Sequence, residues 1–331
     1  MARILSGVKP TGKMTLGNYI GSFRNFPSFQ EDNESYIFVA DIHALTLPID
    51  PANLRSTTYD VISFYLAAGL DPNKTVLFKQ SDIKEVAVLN SILINYIYMG
   101  ELSRMTQFKA KSAKLNQKKI GVGLFAYPVL MAADIFMYDA EIVPVGDDQI
   151  QHVELAHDIA KRFNSRYNAK LLSMPKSVTP KVGKRIMSLQ DPLHKMSKSD
   201  DPKKQKGVIY LQDSEKDIRK KIMSAITDSE AVVRFDPEKK PGISNLLSIY
   251  CAMKKVEISD AEKTFNNCNY GVFKKAVADA VMEEIGPFQK KFFAYRSDEK
   301  KLDEIFEQGA IKARQAASVV LERVKKAVGL K

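Results

Sequence analysis

The sequence predicts an α/β protein in which a large domain built on a parallel sheet is followed by a smaller, all-helical domain. Short apolar runs alternate with long helical patterns up to about residue 205, and strand signals fade after it. In the later part, apolar residues recur at three- and four-residue spacing, with Lys and Glu on the opposite faces. Alternating strands and helices with right-handed crossovers form a parallel sheet covered on both faces.

Five short apolar runs are the predicted strands of a Rossmann-like sheet. They lie near residues 3–7, 36–41, 75–79, 142–145 and 186–189. A helix is predicted over 51–68, because Pro51 suits a first helical turn and Gly69 suits the position just after a helix. In the second domain, the helical spacing covers 214–226, 243–254, 271–294 and 298–328.

Composition limits the classes of protein to consider. A chain of 331 residues with 45% hydrophobic content can bury a sizeable core, and its net charge of +11 favours a polyanionic partner. Only Cys251 and Cys268 are present, so we expect neither a disulfide framework nor a structural metal. No leader segment and no uncharged apolar run near the roughly 18 residues of a membrane span is apparent, so we expect a cytoplasmic protein without membrane contact.

Residues 195–199 read Lys-Met-Ser-Lys-Ser and are the most informative stretch of the chain. Lysine is a compact charge on a flexible stem, and serine offers both a donor and an acceptor. A mobile loop of this kind can close on phosphoryl oxygens whose negative charge grows during a reaction. The alternative is a solvated basic loop in a lysine-rich chain.

A second segment suited to binding phosphate follows the first predicted strand. This segment, residues 10–21, carries Gly12, Gly17 and Gly21, and we call it the glycine signature. Glycine lets the backbone approach a ligand closely. Thr15, or Asn18 just inside, would open a helix whose free N–H groups attract phosphate. Ordinary α/β packing explains the same pattern, so its weight comes from its combination with the lysine loop.

The carboxyl ends of parallel strands form the rim at which such folds bind ligands. The glycine signature follows strand 3–7, His43 follows strand 36–41, and Gly146 follows strand 142–145. The lysine loop follows the run 186–189. We therefore predict that these four elements meet at one rim.

With these motifs the chain resembles the class I aminoacyl-tRNA synthetases, in which an N-terminal signature and a later Lys-Met-Ser-Lys-Ser loop embrace ATP. The signature appears here as Thr-Leu-Gly-Asn at 15–18, a variant similar to the tryptophanyl branch. Further matching stretches are 100–109, Met-Ala-Ala-Asp-Ile at 131–135, 145–152 and 240–247. The resemblance implies activation of L-tryptophan by ATP with Mg²⁺, transfer to tRNA(Trp), and a homodimer.

The helical stretch 127–139 carries a carboxylate on an apolar face. Tyr127, Met131 and Asp134 follow each other at steps of four and three and so share that face. A buried carboxylate needs a donor, and indole offers one N–H and no acceptor. On the residues alone, Asp134 could equally bond a neighbouring loop. The resemblance implies that Asp134 accepts the indole N–H.

The resemblance also implies the remaining site residues. For tryptophan it implies His43, Gln149, Val143, Leu5 and Gly7 beside Tyr127, Met131 and Asp134, with Tyr127 and Gln149 at the α-amino and carboxylate groups. For ATP it implies Lys9, Pro10, Thr11, Gly17, Asn18, Gly146, Asp147, Asp148, Ile186, Lys195, Met196, Ser197, Lys198 and Ser199. The catalytic group comprises Lys195, Lys198, Lys111, Thr15 and Asn18, with the lysines at the departing pyrophosphate. Leu5 and Lys9 depart from the branch, where an aromatic residue and a glutamine are common.

The predicted domains are a catalytic domain over 1–205 and an anticodon-binding helical domain over 206–331. The first includes a connecting dimerisation segment at about 100–175 and the lysine loop at about 190–205. Packing of the last helix back on the catalytic domain is compatible with this division. The apolar stretch Ile92–Met99 could supply a dimer contact.

Three other functions stay open at this point. A small-molecule nucleotidylyltransferase can share the glycine signature and the lysine loop, but it gives no reason for the helical extension. A catalytically dead RNA-binding paralogue is disfavoured by the retained Lys195 and Lys198. Tyrosine specificity is disfavoured by Asp134 in its Met-Ala-Ala-Asp context.

Overall fold

The computed structural model describes residues 1–113, 120–179, 186–196 and 202–331, with the backbone alone at 202–204. The chain divides into two compact units. Unit 1 comprises Met1–Thr11, Phe26–Pro180 and Arg296–Lys331, and unit 2 comprises Gly12–Asn25 and Lys181–Tyr295. This division differs from the predicted domains, because residues 12–25 and 181–205 group with unit 2 and residues 296–331 group with unit 1.

Unit 1 contains a parallel sheet of five strands, which confirms the predicted fold class. The strands are β1 (Ala2–Val8), β2 (Asn33–Val39), β3 (Thr75–Lys79), β4 (Ile142–Pro144) and β5 (Lys176–Val178), in the order β3-β2-β1-β4-β5. In the central pair, Leu5 lies beside Tyr36 and Gly7 beside Phe38. The carboxyl ends of β1 to β4 therefore form one rim.

Four of the predicted strands are confirmed, and the prediction for 186–189 is wrong. Met187 forms only an isolated antiparallel bridge with Lys195, so the lysine loop does not follow a strand of the sheet. The fifth strand is Lys176–Val178, at the sheet edge beside β4. Its residues are partly or fully exposed, so it carries no apolar run that would mark it.

Each helical stretch given residue bounds from the sequence corresponds to a helix of the structure, and the described residues contain further helices. The helices of the described residues are α1 (Leu16–Gly21), α2 (Asp41–Ala44), α3 (Pro51–Ala68), α4 (Lys84–Leu93), α5 (Met99–Arg104), α6 (Thr106–Ser112), α7 (Val122–Met137), α8 (Ile150–Arg166), α9 (Glu215–Met223), α10 (Pro241–Lys254), α11 (Ile258–Phe265), α12 (Tyr270–Arg296) and α13 (Glu299–Ala327). The bounds of α3 match the prediction, with Gly69 at φ +108° after its last turn. No helix in the described part of the chain is both long and apolar enough to cross a membrane.

The terminal helix α13 packs on the sheet of unit 1. Its Ala310, Ala313 and Ala317 are fully buried, and a Cβ added to Gly309 would lie 1.7 Å from the carbonyl oxygen of Leu77 on β3. The small side chains allow the helix backbone to approach the strand closely. This approach fixes β3, the strand that ends next to Gln80.

Unit 2 is largely helical and encloses the glycine signature. Residues around Thr15 pair with the segment near Tyr210, since Leu16 N–H donates to Ile209 O at 2.9 Å and Leu211 N–H donates to Met14 O at 2.8 Å. On the far side, the Tyr19 ring meets Phe288 of α12 edge to face, with centroids 4.8 Å apart. The short helix α1 is thus held by neighbours on two sides.

Candidate active site

One residue of the predicted tryptophan site in unit 1 is a buried carboxylate. Asp134 on α7 has 4% of its side chain exposed, and its Oδ2 lies 3.0 Å from Nε2 of His43. Gln80 Nε2 donates to Oδ1 at 3.0 Å and to Oδ2 at 2.8 Å. Burial raises the pKa of Asp134 although both neighbours favour the charged form. An ionised carboxylate has about four acceptor positions, so Oδ1 retains capacity for one more donor.

Gln80 is a site residue that the sequence analysis missed. Its side chain is buried, and its Oε1 accepts the backbone N–H of His43 at 3.1 Å while its amide donates to Asp134. It therefore ties α2, the short helix after β2, to α7. The rule that polar residues directly after parallel strands line the rim would have found it, because Gln80 follows β3 immediately.

Tyr127 on α7 forms a second group of polar side chains with Gln107 and His152, which we call the Tyr127 group. Its hydroxyl lies 2.7 Å from Nε2 of His152 and donates to Oε1 of Gln107 at 3.2 Å. Burial, with the charge of Lys111, lowers the pKa of His152 to about 4, so His152 is neutral at physiological pH. Burial also raises the pKa of Tyr127, which stays protonated. Gln107 was part of a matching stretch in the sequence, but no role was predicted for it.

Two lysines of unit 1 are partly buried and form no ion pair among the described residues. Lys111 Nζ donates to Gln107 Oε1 at 2.8 Å and lies 5.1 Å from the centre of the Tyr127 ring. Lys9, just after β1, donates to Thr46 Oγ1 at 3.2 Å. Burial and the charge of Lys111 lower the pKa of Lys9 to about 8. Burial likewise lowers the pKa of Lys111. A pair of lysines held in this way is suited to an anionic ligand.

One of the segments predicted to bind ATP follows β4. Gly146 precedes a single 3-10 turn, Asp147–Gln149. The Asp148 carboxylate accepts from Gln107 at 2.6 Å and from Gln149 at 3.2 Å, and Asp147 is exposed. Gln149 is partly exposed, and its amide is directed to Asp148. The turn thus presents a carboxylate and an amide near the Tyr127 group.

The apolar residues predicted around the indole lie on one face of the sheet. Leu5 and Val143 are buried, and Gly7 is exposed on β1. A Cβ on Gly7 would come within 2.7 Å of the Phe38 ring, so only glycine lets that ring keep its position. Met131 on α7 is partly exposed.

Two residues predicted for ATP follow β1. The carbonyl of Pro10 accepts from Thr57 at 2.6 Å, and the N–H of Thr11 donates to Lys9 O at 2.9 Å.

In unit 2, the glycine signature begins helix α1 with a capping box, as its Thr15 suggests. Asn18 N–H donates to Thr15 Oγ1 at 3.3 Å, and Thr15 N–H donates to Asn18 Oδ1 at 3.0 Å. Both side chains are therefore used to start the helix. A Cβ on Gly17 would lie 3.8 Å from Cβ of Ile186, so two residues predicted for the nucleotide are neighbours.

The lysine loop is described up to Met196, and the predicted residues Ser197, Lys198 and Ser199 lie outside the described residues. Lys195 has an exposed side chain, whereas Met196 is buried and donates its N–H to Ile186 O at 2.9 Å. The first lysine is therefore presented to solvent from an anchored backbone.

Comparison with known proteins gives consistent matches over the whole chain. The family model described as tRNA synthetases class I (W and Y) matches residues 1–285. The Tryptophan--tRNA ligase of Oceanobacillus iheyensis is 47% identical over 331 residues, covering 100% of this chain and 99% of the relative. That of Clostridium perfringens is 46% identical over 327 residues, covering 99% and 97%.

Two solved structures are similar over nearly their full length. The tryptophanyl-tRNA synthetase from Mycoplasma pneumoniae has a TM-score of 0.90 at 36% identity, covering 100% of this chain and 98% of that one. The tryptophanyl-tRNA synthetase from Campylobacter jejuni, complexed with ADP and tryptophan, has a TM-score of 0.82 at 32% identity and covers 99% of each chain.

Proposed function

The chain belongs to the class I tRNA synthetases of the tryptophan and tyrosine group, and from this premise we propose that it is a tryptophan–tRNA ligase. It activates L-tryptophan with ATP to tryptophanyl-adenylate and transfers it to the terminal adenosine of tRNA(Trp). The observation that carries the choice of amino acid is the buried Asp134, which has donors on one side and spare acceptor capacity at Oδ1.

Asp134 is proposed to accept the indole N–H of tryptophan. His43 and Gln80 hold its carboxylate in place, so a bound amino acid need not organise it. A phenylalanine ring offers no N–H and would leave the remaining acceptor position of a desolvated carboxylate unfilled, and sites of this kind reject such an analogue by about 10⁴-fold or more. Met131, Leu5, Gly7 and Val143 are proposed to cover the ring.

The polar ends of tryptophan are assigned to the Tyr127 group. The Tyr127 hydroxyl and the amide of Gln149 are proposed to bind the α-amino and carboxylate groups. Because His152 is neutral, its imidazole orients the Tyr127 hydroxyl without adding a positive charge. Lys111 would offer an ammonium to negative oxygens.

ATP enters as its magnesium complex, with the metal held by phosphate oxygens and water. The tryptophan carboxylate attacks the α-phosphorus in line and pyrophosphate leaves, so no enzyme nucleophile is needed. We assign Lys195 and Lys198 to the departing pyrophosphate, with Lys111 as a further cation. Lys9, Pro10 and Thr11 are assigned to the nucleotide with the segments at Gly17–Asn18, Gly146–Asp148 and Ile186.

In the second step the terminal ribose hydroxyl of tRNA attacks the adenylate. The net charge of +11 suits a nucleic acid, and the helical domain predicted over 206–331, of which the last helix packs on the sheet of unit 1, is proposed to contain the anticodon-binding region. Lysine and arginine contacts to a tRNA backbone make charging salt-sensitive. A cytoplasmic location, where tRNA is charged, is part of the same proposal.

A homodimer is also proposed. Ile94, Tyr98, Met99 and Val122 are large apolar residues with between 43% and 77% of their surface exposed, and three of them lie in or beside the stretch Ile92–Met99. Apolar surface that is gathered in a patch is typical of protein interfaces, and the closeness in sequence of three of these residues supports such a patch here. Measurement of the molar mass in solution tests this proposal.

Exchange of pyrophosphate into ATP, assayed with each amino acid in turn, tests the proposed reaction. We expect exchange that depends on tryptophan. Exchange that depends on tyrosine would move the specificity within the same family. No exchange with any amino acid would favour an RNA-binding protein without catalysis.

A further inference from the structure

The exposed Lys195 lies in the second arm, residues 194–196, of a short turn in unit 2. Met187 and Lys195 face each other in an isolated antiparallel bridge. On either side of this bridge, Ser188 N–H donates to His194 O at 2.8 Å and Met196 N–H donates to Ile186 O at 2.9 Å. The backbone of Lys195 is therefore fixed by the first arm, residues 186–188. Whatever holds that arm also determines the position of Lys195.

The first arm is held by one buried side chain on α10. Asn245, which is 4% exposed, accepts the N–H of Met187 and donates its Nδ2 to the carbonyl of Met187, both at 2.9 Å. A side-chain amide thus supplies the two hydrogen bonds that a neighbouring strand would otherwise give. Since the arm is not part of the sheet, this substitute for a strand is structurally significant.

The start of α10 is itself anchored. Lys240 is buried, and its Nζ lies 2.8 Å from both the Asp228 and Glu230 carboxylates. A Cβ on Gly242 would lie 2.1 Å from the carbonyl oxygen of Ile226, and Ile226 N–H donates to Leu189 O at 2.9 Å. The helix that holds the first arm is therefore fixed to a segment that bonds Leu189, the residue directly after that arm.

We propose that Asn245 is a positioning residue for adenylate formation, which places Lys195 through the backbone of Met187. This rests on the proposed function, because it assumes that Lys195 acts on ATP. Asn245 touches no substrate in this proposal. Its loss would let the first arm move, and a displacement of about 1 Å can lower a rate by roughly 100-fold.

The kinetic test compares Asn245→Ala with Asn164→Ala in tryptophan-dependent pyrophosphate exchange. Asn164 is a matched control in unit 1, since its side chain bonds the N–H groups of Leu171 and Leu172 and the Leu172 carbonyl, all at 2.9 Å. We expect Asn245→Ala to lower kcat by about 10- to 100-fold with the KM for tryptophan unchanged. Asn164→Ala should keep kcat at a similar loss of thermal stability. Equal kcat in the two variants would overturn the proposal.

A second variant tests whether the effect passes through Lys195. In a Lys195→Ala background, Asn245→Ala should lower kcat by less than about 3-fold, because residues that act as a unit are not additive. A full additional loss in that background would show that Asn245 acts by another route.

A measurement without catalysis separates this inference from the proposed function. Trypsin cleavage after Lys195, followed by mass spectrometry, should be several-fold faster in Asn245→Ala than in the wild type or Asn164→Ala. Unchanged cleavage would contradict the inference even in an active enzyme. Faster cleavage in a protein whose wild type shows no exchange would contradict the proposed function and leave the placement of the loop supported.

Discussion

The two units prepare their polar groups in opposite ways. In unit 1, Asp134 is buried and bonded by His43 and Gln80, two side chains of the protein itself. In unit 2, Lys195 is in solvent, and only the backbone behind it is fixed by Asn245. The difference is that recognition of a neutral donor requires a desolvated acceptor of fixed position, whereas a leaving phosphate can be met by a long cationic side chain on a well-placed backbone.

The largest expected effect concerns recognition of the amino acid by Asp134 in unit 1. Asp134→Asn keeps the shape but removes the charge that His43 and Gln80 surround. We expect the preference for tryptophan over phenylalanine, measured as the ratio of kcat/KM in pyrophosphate exchange, to fall by up to about 10⁴-fold. The KM for ATP should change little, and a wild-type preference would remove Asp134 from this role.

The second-largest expected effect concerns the positive charge of Lys195 in unit 2. Lys195→Ala removes an exposed ammonium that makes no structural bond in the described part of the chain, so thermal stability should stay close to that of the wild type. We expect kcat of exchange to fall by about 10²- to 10³-fold, as for other electrostatic donors to a transition state. The amino-acid preference should be unchanged, and a changed preference would count against the division of roles.

A third prediction concerns the framework beneath the buried network. Gly309→Ala places a Cβ against the Leu77 carbonyl of β3, the strand that leads into Gln80. We expect it to lower the free energy of unfolding by about 3 kcal/mol, near the upper end for overpacking. Gly123→Ala on α7 is the control, since nothing lies within 4 Å of its added Cβ. Denaturant unfolding of both variants is the measurement, and equal losses would contradict the close packing.

The smallest expected effect concerns pH. Lys9 has a pKa of about 8 in the folded protein, against an ordinary value of 10.5. The ammonium is therefore lost as pH rises through 8, and kcat/KM for ATP, which reports the free enzyme, should fall by up to about 10-fold between pH 7 and 9.5. Lys9→Gln should lack this decline. An unchanged decline in the variant would assign the titration to another group.

The same pKa has a consequence for stability with the opposite sign. Below pH 8 Lys9 is charged in both folded and unfolded chains, and its burial opposes folding to a constant extent. Between pH 8 and 10.5 the unfolded chain binds more protons, so this opposition to folding decreases as pH rises. Lys9→Gln should accordingly have a larger free energy of unfolding than the wild type at pH 7. This difference in the free energy of unfolding should be smaller at pH 10.

The sequence was sufficient for the elements with clear local signals. Continuous apolar runs identified β1 to β4, and Pro51 with Gly69 gave the bounds of α3. The short edge strand β5 has no apolar run, whereas Ile186 and Leu189 of the run 186–189 are buried although the run is not a strand of the sheet. Local pattern cannot distinguish burial in a sheet from burial outside it.

The candidate site shows the same limit. His43, Tyr127 and Asp134 were predicted, and the structure brings His43 to Asp134. Gln80 and Asn245 were not predicted, because an amide side chain has no sequence signature for the partner it will bond. Their roles depend on tertiary contacts over 54 and 58 residues of chain.

A double-mutant cycle with Asp134→Asn and Lys195→Ala tests most directly whether recognition and charge stabilisation are separate tasks. The quantity is kcat/KM for tryptophan in pyrophosphate exchange, measured for the wild type, both single variants and the double variant. The account predicts that the two losses add as free energies within about 0.5 kcal/mol. A coupling of more than about 1 kcal/mol would contradict it, because such coupling is found between residues that work as one unit.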